Sequence, residues 1–268
     1  MMDYTARYGF EFNPFIKNTK DILLDTTESS EVRVRLETLE KIHGFGVLTG
    51  EPGRGKTTSA RTWADSLSPS LYRVCYTSLS SLTVMDFYRR TASLLGAEPG
   101  FRKSDLFEEI QTEVKRYALE KRITPVIIID EADKLTHKVL SDLQIMFNFD
   151  MDSRDPAVIL LVGQPRLNMT LNQNTHESLR QRIVMNYHMG GISKEEGRRY
   201  ISCKLEGAGC RQKVFDDNAV ETILNAANGT PRMINKICNR SIMIGASFNQ
   251  DTINAETVVK AVEDTQLG

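Results

Sequence analysis

The apolar positions of this chain form two alternating patterns over its first two thirds. Short apolar runs predict β-strands at 45–48, 71–76, 126–129 and 158–162. Unbroken runs such as Val126–Ile129 are typical of strands that are buried on both faces of a parallel sheet. Between the runs, apolar residues at helical spacing predict helices at 31–43, 58–64, 84–95, 106–119 and 138–147. Strands that alternate with helices in this way predict an α/β fold with a doubly wound parallel sheet.

The pattern changes to helices alone after residue 190. Ser193 and Glu196 have the spacing of a capping box, which predicts a helix that begins there and ends at Gly207. Three further helices are predicted at 217–227, 231–248 and 255–264. We therefore predict two domains, an α/β core over 1–190 and a small α-helical domain over 191–268. Residues 1–30 are taken as a lead-in to the core.

A glycine-rich segment between the first strand and the next helix matches the phosphate-binding pattern G-x-x-x-x-G-K-[ST]. Its backbone N–H groups and the helix N-terminus are expected to hold phosphate oxygens. The ammonium of Lys56 is expected to reach the β- and γ-phosphates, and the hydroxyl of Thr57 to ligate Mg²⁺. The segment therefore predicts a nucleoside triphosphate site. The predicted nucleotide-binding residues are Gly50, Glu51, Pro52, Gly53, Arg54, Gly55, Lys56, Thr57 and Thr58.

The predicted strand at 126–129 ends in two acidic residues, Asp130 and Glu131. Ligands of open α/β sheets bind at the carboxyl ends of the strands. We expect Asp130 to hold Mg²⁺ and Glu131 to orient and deprotonate an attacking water. The alternative is that both acids only cap the next helix. Beside a phosphate loop we favour the catalytic interpretation, and an acid directed at water favours hydrolysis over a kinase reaction.

Charge and cysteine content limit the kinds of partner and the cellular compartment that we expect for the protein. The formal net charge is −1 over 268 residues, so a contact with nucleic acid has to come from a local basic stripe or from an assembly. The four cysteines form no C-x-x-C pair, which indicates free thiols in a reducing compartment. The first residues do not resemble a secretory signal, and no apolar run reaches membrane-spanning length. We expect a cytoplasmic protein without a membrane partner.

The combination of these motifs resembles the AAA+ ATPases over nearly the whole chain. Three segments narrow the resemblance to the ExeA-like branch, which also includes ATPases of the TniB, TnsC and MuB type that serve DNA transposition. These segments are Phe12–Phe15, Val162–Leu167 and Gly229–Asn235. The resemblance implies a P-loop AAA+ core with a parallel doubly wound sheet and a small C-terminal α-helical lid. It also implies ATP as the nucleotide and a homo-oligomer, as a ring or a filament.

The resemblance assigns further catalytic roles. Gln164 stands where the family usually has Asn, Ser or Thr, which holds the attacking water together with Glu131. Arg232, in a Pro-Arg pair at a predicted helix start, matches the arginine that reaches the γ-phosphate. Arg180 and Arg182 lie where the family presents an arginine finger to a neighbouring subunit. We favour Arg182, because the apolar pair after it can anchor it.

A hydroxyl at the end of the second strand, from Thr77 or Ser78, is a candidate to restrain Glu131 until a ligand arrives. Strand-end hydroxyls are also ordinary turn formers, so this role is not specific.

The leading hypothesis for the partner follows from the resemblance: ATP-bound subunits assemble on duplex DNA and recruit or stimulate a transposase. The chain lacks the membrane segment and the peptidoglycan-binding region expected of ExeA-like secretion ATPases, which favours this hypothesis. Arg102 and Lys103, in a polar loop, are candidates for phosphate contacts, with a merely solvated loop as an equal alternative. Lys134 and Lys138 are weaker candidates.

Two other functions remain open. One is a cytoplasmic ATPase of a secretion or envelope assembly that does not bind DNA. The other is a regulatory switch that binds ATP and barely hydrolyses it.

Overall fold

The computed structural model describes residues 4–17, 22–78, 83–98, 100–149 and 155–265. Contacts within the chain group into two compact units. The first, here the sheet unit, contains 31–52 and 56–189. The second, here the helical unit, contains 1–30, 53–55 and 190–268. Within the described ranges, no helix is both long enough and apolar enough to span a bilayer.

The sheet unit is built on five parallel strands in the order β2-β3-β4-β1-β5. The strands are β1 (Gly44–Gly50), β2 (Tyr72–Ser78), β3 (Thr124–Asp130), β4 (Val158–Gly163) and β5 (Ile183–Met189). The prediction of an α/β fold with a parallel sheet is confirmed. The helices that alternate with these strands are α2 (Thr27–Ile42), α3 (Lys56–Ser66), α4 (Val84–Leu95), α5 (Lys103–Lys115), α6 (His137–Met146), α7 (Arg166–Leu171) and α8 (Glu177–Gln181).

Burial on both faces of the sheet explains the unbroken apolar runs. Side chains alternate between the two faces of a strand, so a central strand needs apolar residues at every position. In β3, Ile127 and Ile129 pack in a cluster with residues of α4, α5 and α6. Val126 and Ile128 of the same strand pack on the opposite face, with residues of α2 and α3. Complete burial of one such side chain contributes about 1.5–3 kcal/mol to folding.

The fifth strand, β5, was missed by the sequence analysis, which recognised only an apolar pair at its start. β5 lies at the edge of the sheet, where it pairs in parallel with β1 alone among the described strands. Met185 and Met189 are buried, whereas Val184, Asn186 and His188 are exposed. The polar residues of its exposed face interrupt the run, so no continuous apolar segment marks this strand.

In the residues that the structure describes, the secondary structure of the helical unit is mainly α-helical. Its helices are α1 (Tyr4–Tyr8), α9 (Lys194–Gly207), α10 (Asp217–Ala227), α11 (Pro231–Ser247) and α12 (Ala255–Thr265). The predicted capping box is present: Glu196 N donates to Ser193 Oγ at 3.1 Å, and Ser193 N donates to Glu196 Oε2 at 2.9 Å. Proline at the first position of α11 has a φ that suits a helix start.

The structure differs from the predicted division at the N-terminus. We assigned residues 1–30 to the core as a lead-in, but by their contacts they belong to the helical unit. Tyr8, Phe10 and Phe15 are buried in one cluster with Ile223 of α10 and Ile237 of α11. A few aromatic residues without periodicity give no sequence signal of the unit against which they pack. The other division falls at 189/190 in the structure, next to the predicted 190/191.

Candidate nucleotide-binding site

The phosphate loop begins at the end of β1 and runs into the first turn of α3, which starts at Lys56 and includes Thr57 and Thr58. The ammonium of Lys56 donates to the carbonyl oxygens of Gly50 at 2.7 Å and Glu51 at 3.0 Å. It is therefore directed back across the start of the loop. A helix N-terminus offers free N–H groups and a partial positive charge, both of which suit a phosphate.

The middle of the loop, Gly53–Gly55, belongs to the helical unit by its contacts. Gly53 has φ 83° and Gly55 has φ 107°, a backbone region that residues with a Cβ rarely adopt. Gly53 O accepts a hydrogen bond from the backbone N of Arg232 at 3.4 Å. The side chain of Arg232, one residue into α11, is exposed.

Thr57 and Asp130 are brought together within the sheet unit. Thr57 Oγ1 donates to Asp130 Oδ2 at 2.8 Å. The same carboxylate oxygen accepts from the hydroxyl of Tyr76 at 3.1 Å, and Asp130 Oδ1 accepts from Glu131 N at 2.8 Å. Asp130 is 8% exposed, so its two oxygens are held in fixed positions by three donors.

The donor set at this point fits a magnesium ion. Mg²⁺ prefers oxygen ligands and is usually held by one or two side chains together with water and phosphate oxygens. The hydroxyl of Thr57 and the carboxylate of Asp130 would hold the ion. Burial and the negative charge of Asp130 raise the pKa of Tyr76 to about 12. The phenol of Tyr76 therefore stays protonated as a donor to that carboxylate near neutral pH.

Tyr76 was not predicted from the sequence. A signal was available in its position: Tyr76 lies on β2, whose register pairs Ser78 with Asp130 on β3. A phenol two residues before the end of the neighbouring strand is close enough to reach the acid.

Glu131 lies directly after β3 in a left-handed backbone conformation, with φ 56° and ψ 31°. This region costs a non-glycine residue energy and is often found at functional positions. Its carboxylate accepts from Lys134 Nζ at 2.6 Å. Both side chains are partly exposed, so the ion pair contributes little to stability. We expected a restraint on Glu131 from Thr77 or Ser78; the contact observed on its carboxylate comes from Lys134.

A third acid, Asp133, joins the turn after β3 to the loop after β4. Gln164 follows β4, and its backbone N donates to Asp133 Oδ1 at 3.0 Å. Arg166 Nε donates to the other carboxylate oxygen of Asp133 at 2.6 Å. A Cβ on Gly163 would lie 3.0 Å from Asp133, so glycine is what permits this approach. Asp133 was also missed, although it follows the Asp-Glu pair by two residues.

The structure corrects our preference for Arg182 as the arginine finger. Its guanidinium donates to the carbonyls of Gln144 and Phe147, each at 3.0 Å, and to Asp155 Oδ1 at 3.2 Å. It also lies 5.8 Å from the ring centre of Phe45, and the side chain is only 11% exposed. A guanidinium bound in this way within its own unit is not free to reach another subunit.

Arg180, the other candidate finger, is placed differently. It lies in α8, is partly exposed, and donates to the carbonyl of Asn172 at 3.0 Å. A single hydrogen bond at the surface holds a long side chain weakly.

The two candidate DNA contacts, Arg102 and Lys103, have different surroundings. Lys103 Nζ lies 2.7 Å from Asp142 Oδ2 and over the ring of Tyr88 at 5.2 Å. Burial and the charge of Asp142 raise the pKa of Tyr88. Lys103 thus neutralises a nearly buried acid, which weakens its candidacy as a phosphate contact. Arg102, by contrast, is exposed beside the exposed Phe101.

The order of the strands, the phosphate loop after β1 and the acidic pair after β3 together form the arrangement of AAA-type P-loop ATPase domains. Residues 40–171 match the family model of the AAA domain. The fold is that of the AAA+ ATPases. Its sheet and helices resemble Cdc6p of Pyrobaculum aerophilum, with a TM-score of 0.72 at 16% identity over 95% of this chain and 71% of that one. They also resemble the RuvB Holliday junction branch migration motor of Thermotoga maritima, with a TM-score of 0.59 at 21% identity over 90% of this chain and 69% of that one. At these identities the likeness shows the fold alone.

Two relatives by sequence are more informative. General secretion pathway protein A of Aeromonas hydrophila is 31% identical over 245 residues, which are 90% of this chain and 44% of that protein. A potential ATP-binding protein of Staphylococcus aureus is 24% identical over 257 residues, 85% of this chain and 90% of that protein. This chain thus spans less than half the length of the Aeromonas relative. The transposition branch of the resemblance has no counterpart among the relatives named here.

Proposed function

We propose that the protein binds Mg²⁺–ATP at residues 50–58 and hydrolyses it to ADP and phosphate. The observation that supports this most strongly is the 2.8 Å contact between Thr57 Oγ1 and Asp130 Oδ2. It lies where the start of α3 meets the carboxyl end of β3, so that one ion with its bound phosphates can contact both. Arg232 is proposed as the arginine that reaches the γ-phosphate.

The proposed chemistry assigns one task to each side chain. Lys56 and the loop N–H groups hold the β- and γ-phosphates, and bound Mg²⁺ supplies neutralisation of phosphate charge. Glu131 accepts the proton of the water that attacks the γ-phosphorus. To do so it needs a carboxylate oxygen free of the Lys134 ammonium. The amide of Gln164 orients the same water, and Asp133 fixes the backbone from which that amide extends.

The test of the hydrolytic step is Glu131→Gln, which keeps the size of the side chain and removes the base. We expect turnover to fall about 10²- to 10⁴-fold while ATP binding remains. Lys56→Ala should instead remove ATP binding. Glu108→Gln, an exposed acid on α5, is the matched control with turnover like that of the wild type. Wild-type turnover in Glu131→Gln would reject the assignment.

We further propose that hydrolysis takes place between subunits of a homo-oligomer, with Arg180 as the finger. A finger from a neighbouring subunit stabilises the charge that develops on the transferred phosphoryl group. The specific activity should therefore rise with protein concentration in a dilution series. Constant specific activity over the series would contradict a shared site.

We propose that the protein is an ATPase subunit of a secretion or envelope assembly. The support is the 31% identity to general secretion pathway protein A, which extends over 90% of this chain. This reverses our earlier order, in which an ATPase that assembles on duplex DNA and acts on a transposase came first. That second candidate keeps the support of the resemblance and of the exposed Arg102. The regulatory nucleotide switch is the third.

One experiment separates the three candidates: the ATPase rate with and without duplex DNA over a series of salt concentrations. Turnover that is indifferent to DNA supports the secretion-type ATPase. Stimulation by DNA that fades as salt rises supports assembly on DNA, because phosphate contacts are salt-sensitive. Tight ATP binding without turnover supports the switch.

A further inference from the structure

The guanidinium of Arg54, in the middle of the phosphate loop, is bound within the helical unit. Its Nη1 donates to the carbonyl oxygen of Asn228 at 2.8 Å. Asn228 ends α10 in a left-handed conformation with φ 44°, and Gly229 continues it with φ 67°. Two successive left-handed residues turn the chain sharply at a helix end, and the carbonyl that accepts from Arg54 lies in this turn.

Two glycines lie against the guanidinium and against each other's backbone. A Cβ on Gly191 would overlap Arg54 Nη1 and lie 2.9 Å from the carbonyl oxygen of Gly229. A Cβ on Gly229 would lie 2.7 Å from the carbonyl oxygen of Ile192 and 3.0 Å from Arg54 Nη1. Ile192 N donates to the carbonyl of Gly229 at 3.0 Å, which joins the two glycine segments. The guanidinium is therefore held at a defined position against the backbone of 191 and 228–229.

The preceding loop residue contacts the same region. Gly53 O accepts from Arg232 N at 3.4 Å. A Cβ on Gly53 would lie 2.7 Å from Arg232 Cβ and 3.1 Å from Thr230 Cγ2. Two adjacent residues of the loop, Gly53 and Arg54, are thus bound to one short segment, 228–232.

We infer that Arg54 is a positioning residue that fixes the centre of the phosphate loop to the turn at Asn228–Gly229. Glycine-rich backbone loses much conformational freedom on ordering, so an external anchor that orders the loop beforehand strengthens phosphate binding. The coupling is reciprocal, so a nucleotide bound at the loop must also stabilise the turn. This inference rests on the proposed nucleotide binding. It gives Arg54 a role other than direct contact with phosphate.

The test uses Arg54→Ala, Gly191→Ala, the double variant, and Arg211→Ala as a control at an exposed arginine of the same unit. For each, the Kd of a non-hydrolysable ATP analogue and the amide exchange of residues 228–233 are measured with and without that analogue. Thermal melts establish that each variant is folded. Gly191→Ala displaces the guanidinium and crowds the carbonyl oxygen of Gly229, with the sequence of the phosphate loop unchanged.

We expect Arg54→Ala to raise Kd about tenfold, the value of a charged hydrogen bond, and to abolish the protection of 228–233 by nucleotide. Gly191→Ala should act in the same direction. The double variant should be less impaired than the product of the single effects, because both changes break one contact. Arg211→Ala should match the wild type.

Two results would overturn the inference while leaving nucleotide binding intact. One is Arg54→Ala with the Kd and the nucleotide-induced protection of the wild type. The other is a loss of affinity in Arg54→Ala alongside unchanged affinity in Gly191→Ala, which would mean that Arg54 contacts the phosphate directly. A wild-type protein that binds no nucleotide would instead reject the proposed function, and this inference with it.

Discussion

The end of β3 and the segment from α8 to β5 both carry charged residues that the sequence marks as catalytic, and the structure treats them differently. At the end of β3, Asp130 meets Thr57 at 2.8 Å, as the motifs predict. In the segment from α8 to β5, the arginine that we favoured is bound to carbonyls far away in sequence. A motif that constrains the backbone carries its geometry with it. The surroundings of a lone arginine depend on tertiary contacts.

The largest expected effect is a difference in ATP turnover between the Arg180 and Arg182 variants. Arg180→Ala should lower ATP turnover by about 10³-fold or more, the contribution of known fingers, with ATP affinity and melting temperature unchanged. The measurement is steady-state turnover at saturating ATP, with the exposed Arg211→Ala as control. Turnover within twofold of the wild type would remove Arg180 from the catalytic machinery.

Arg182→Ala should instead act on stability. Its loss leaves the carbonyls of Gln144 and Phe147 without this donor, and Asp155 without its ion pair. We expect a loss of about 2–3 kcal/mol in the free energy of unfolding and a melting temperature several degrees lower. Urea titration of both arginine variants provides the comparison. A stable Arg182→Ala protein with lost turnover would restore Arg182 as the finger.

Tyr76→Phe sharpens the account of the acidic end of β3. The change removes one of three donors to Asp130 and leaves the ring in place. Loss of a partner of this kind typically lowers metal affinity 10- to 100-fold. We expect the Mg²⁺ concentration that half-saturates ATP binding to rise about tenfold, with little change when Mg²⁺ is saturating. An unchanged Mg²⁺ requirement would mean that Thr57 and Glu131 N hold Asp130 sufficiently.

The smallest effect concerns a histidine pair formed by His137, the first residue of α6, and His176, which lies directly before α8. His137 Nδ1 lies 2.8 Å from His176 Nε2 in stacked rings, and His176 is buried. Burial and the neighbouring His137 lower the pKa of His176 below its ordinary 6.5. Below pH 6.5 the unfolded chain then binds more protons than the folded one. The stability is therefore fully present above about pH 6.5 and is lost as pH falls from there through the lower pKa of folded His176.

The measurement for this pair is the free energy of unfolding between pH 8 and pH 5. The wild type should lose stability over the acid part of this range, and His176→Gln should show a smaller slope. Equal slopes in the two proteins would exclude His176 as the source of the pH dependence.

The sequence predicted the parts of the site that local rules determine. The phosphate loop needs glycine at fixed points, and β3 needs apolar residues on both faces, so both motifs were visible. Two residues that were missed act across the fold: Tyr76 reaches Asp130 through strand register, and Asp133 holds the loop after β4. The contact of Lys134 with Glu131 is local, but it depends on the tight turn after β3.

The structural elements that were not predicted also depend on tertiary contacts. β5 lies at a sheet edge, where one face is exposed and the apolar pattern is broken by Asn186 and His188. The aromatic residues near the N-terminus indicate from their apolar character that they are buried, but not against which unit they pack. That unit is determined by contacts with residues more than 200 positions away, such as the hydrogen bond from Tyr8 OH to Gln250 O at 3.1 Å. No periodicity along the chain encodes such a contact.

The most direct test of the account is the gain in ATP affinity on addition of Mg²⁺, measured in the wild type, Thr57→Val, Asp130→Asn and the double variant. If both residues hold one ion, Mg²⁺ tightens ATP binding in the wild type and does so far less in either single variant. The double variant then loses little more, because the two changes disrupt one site. Single variants that keep the full gain from Mg²⁺ would contradict the account.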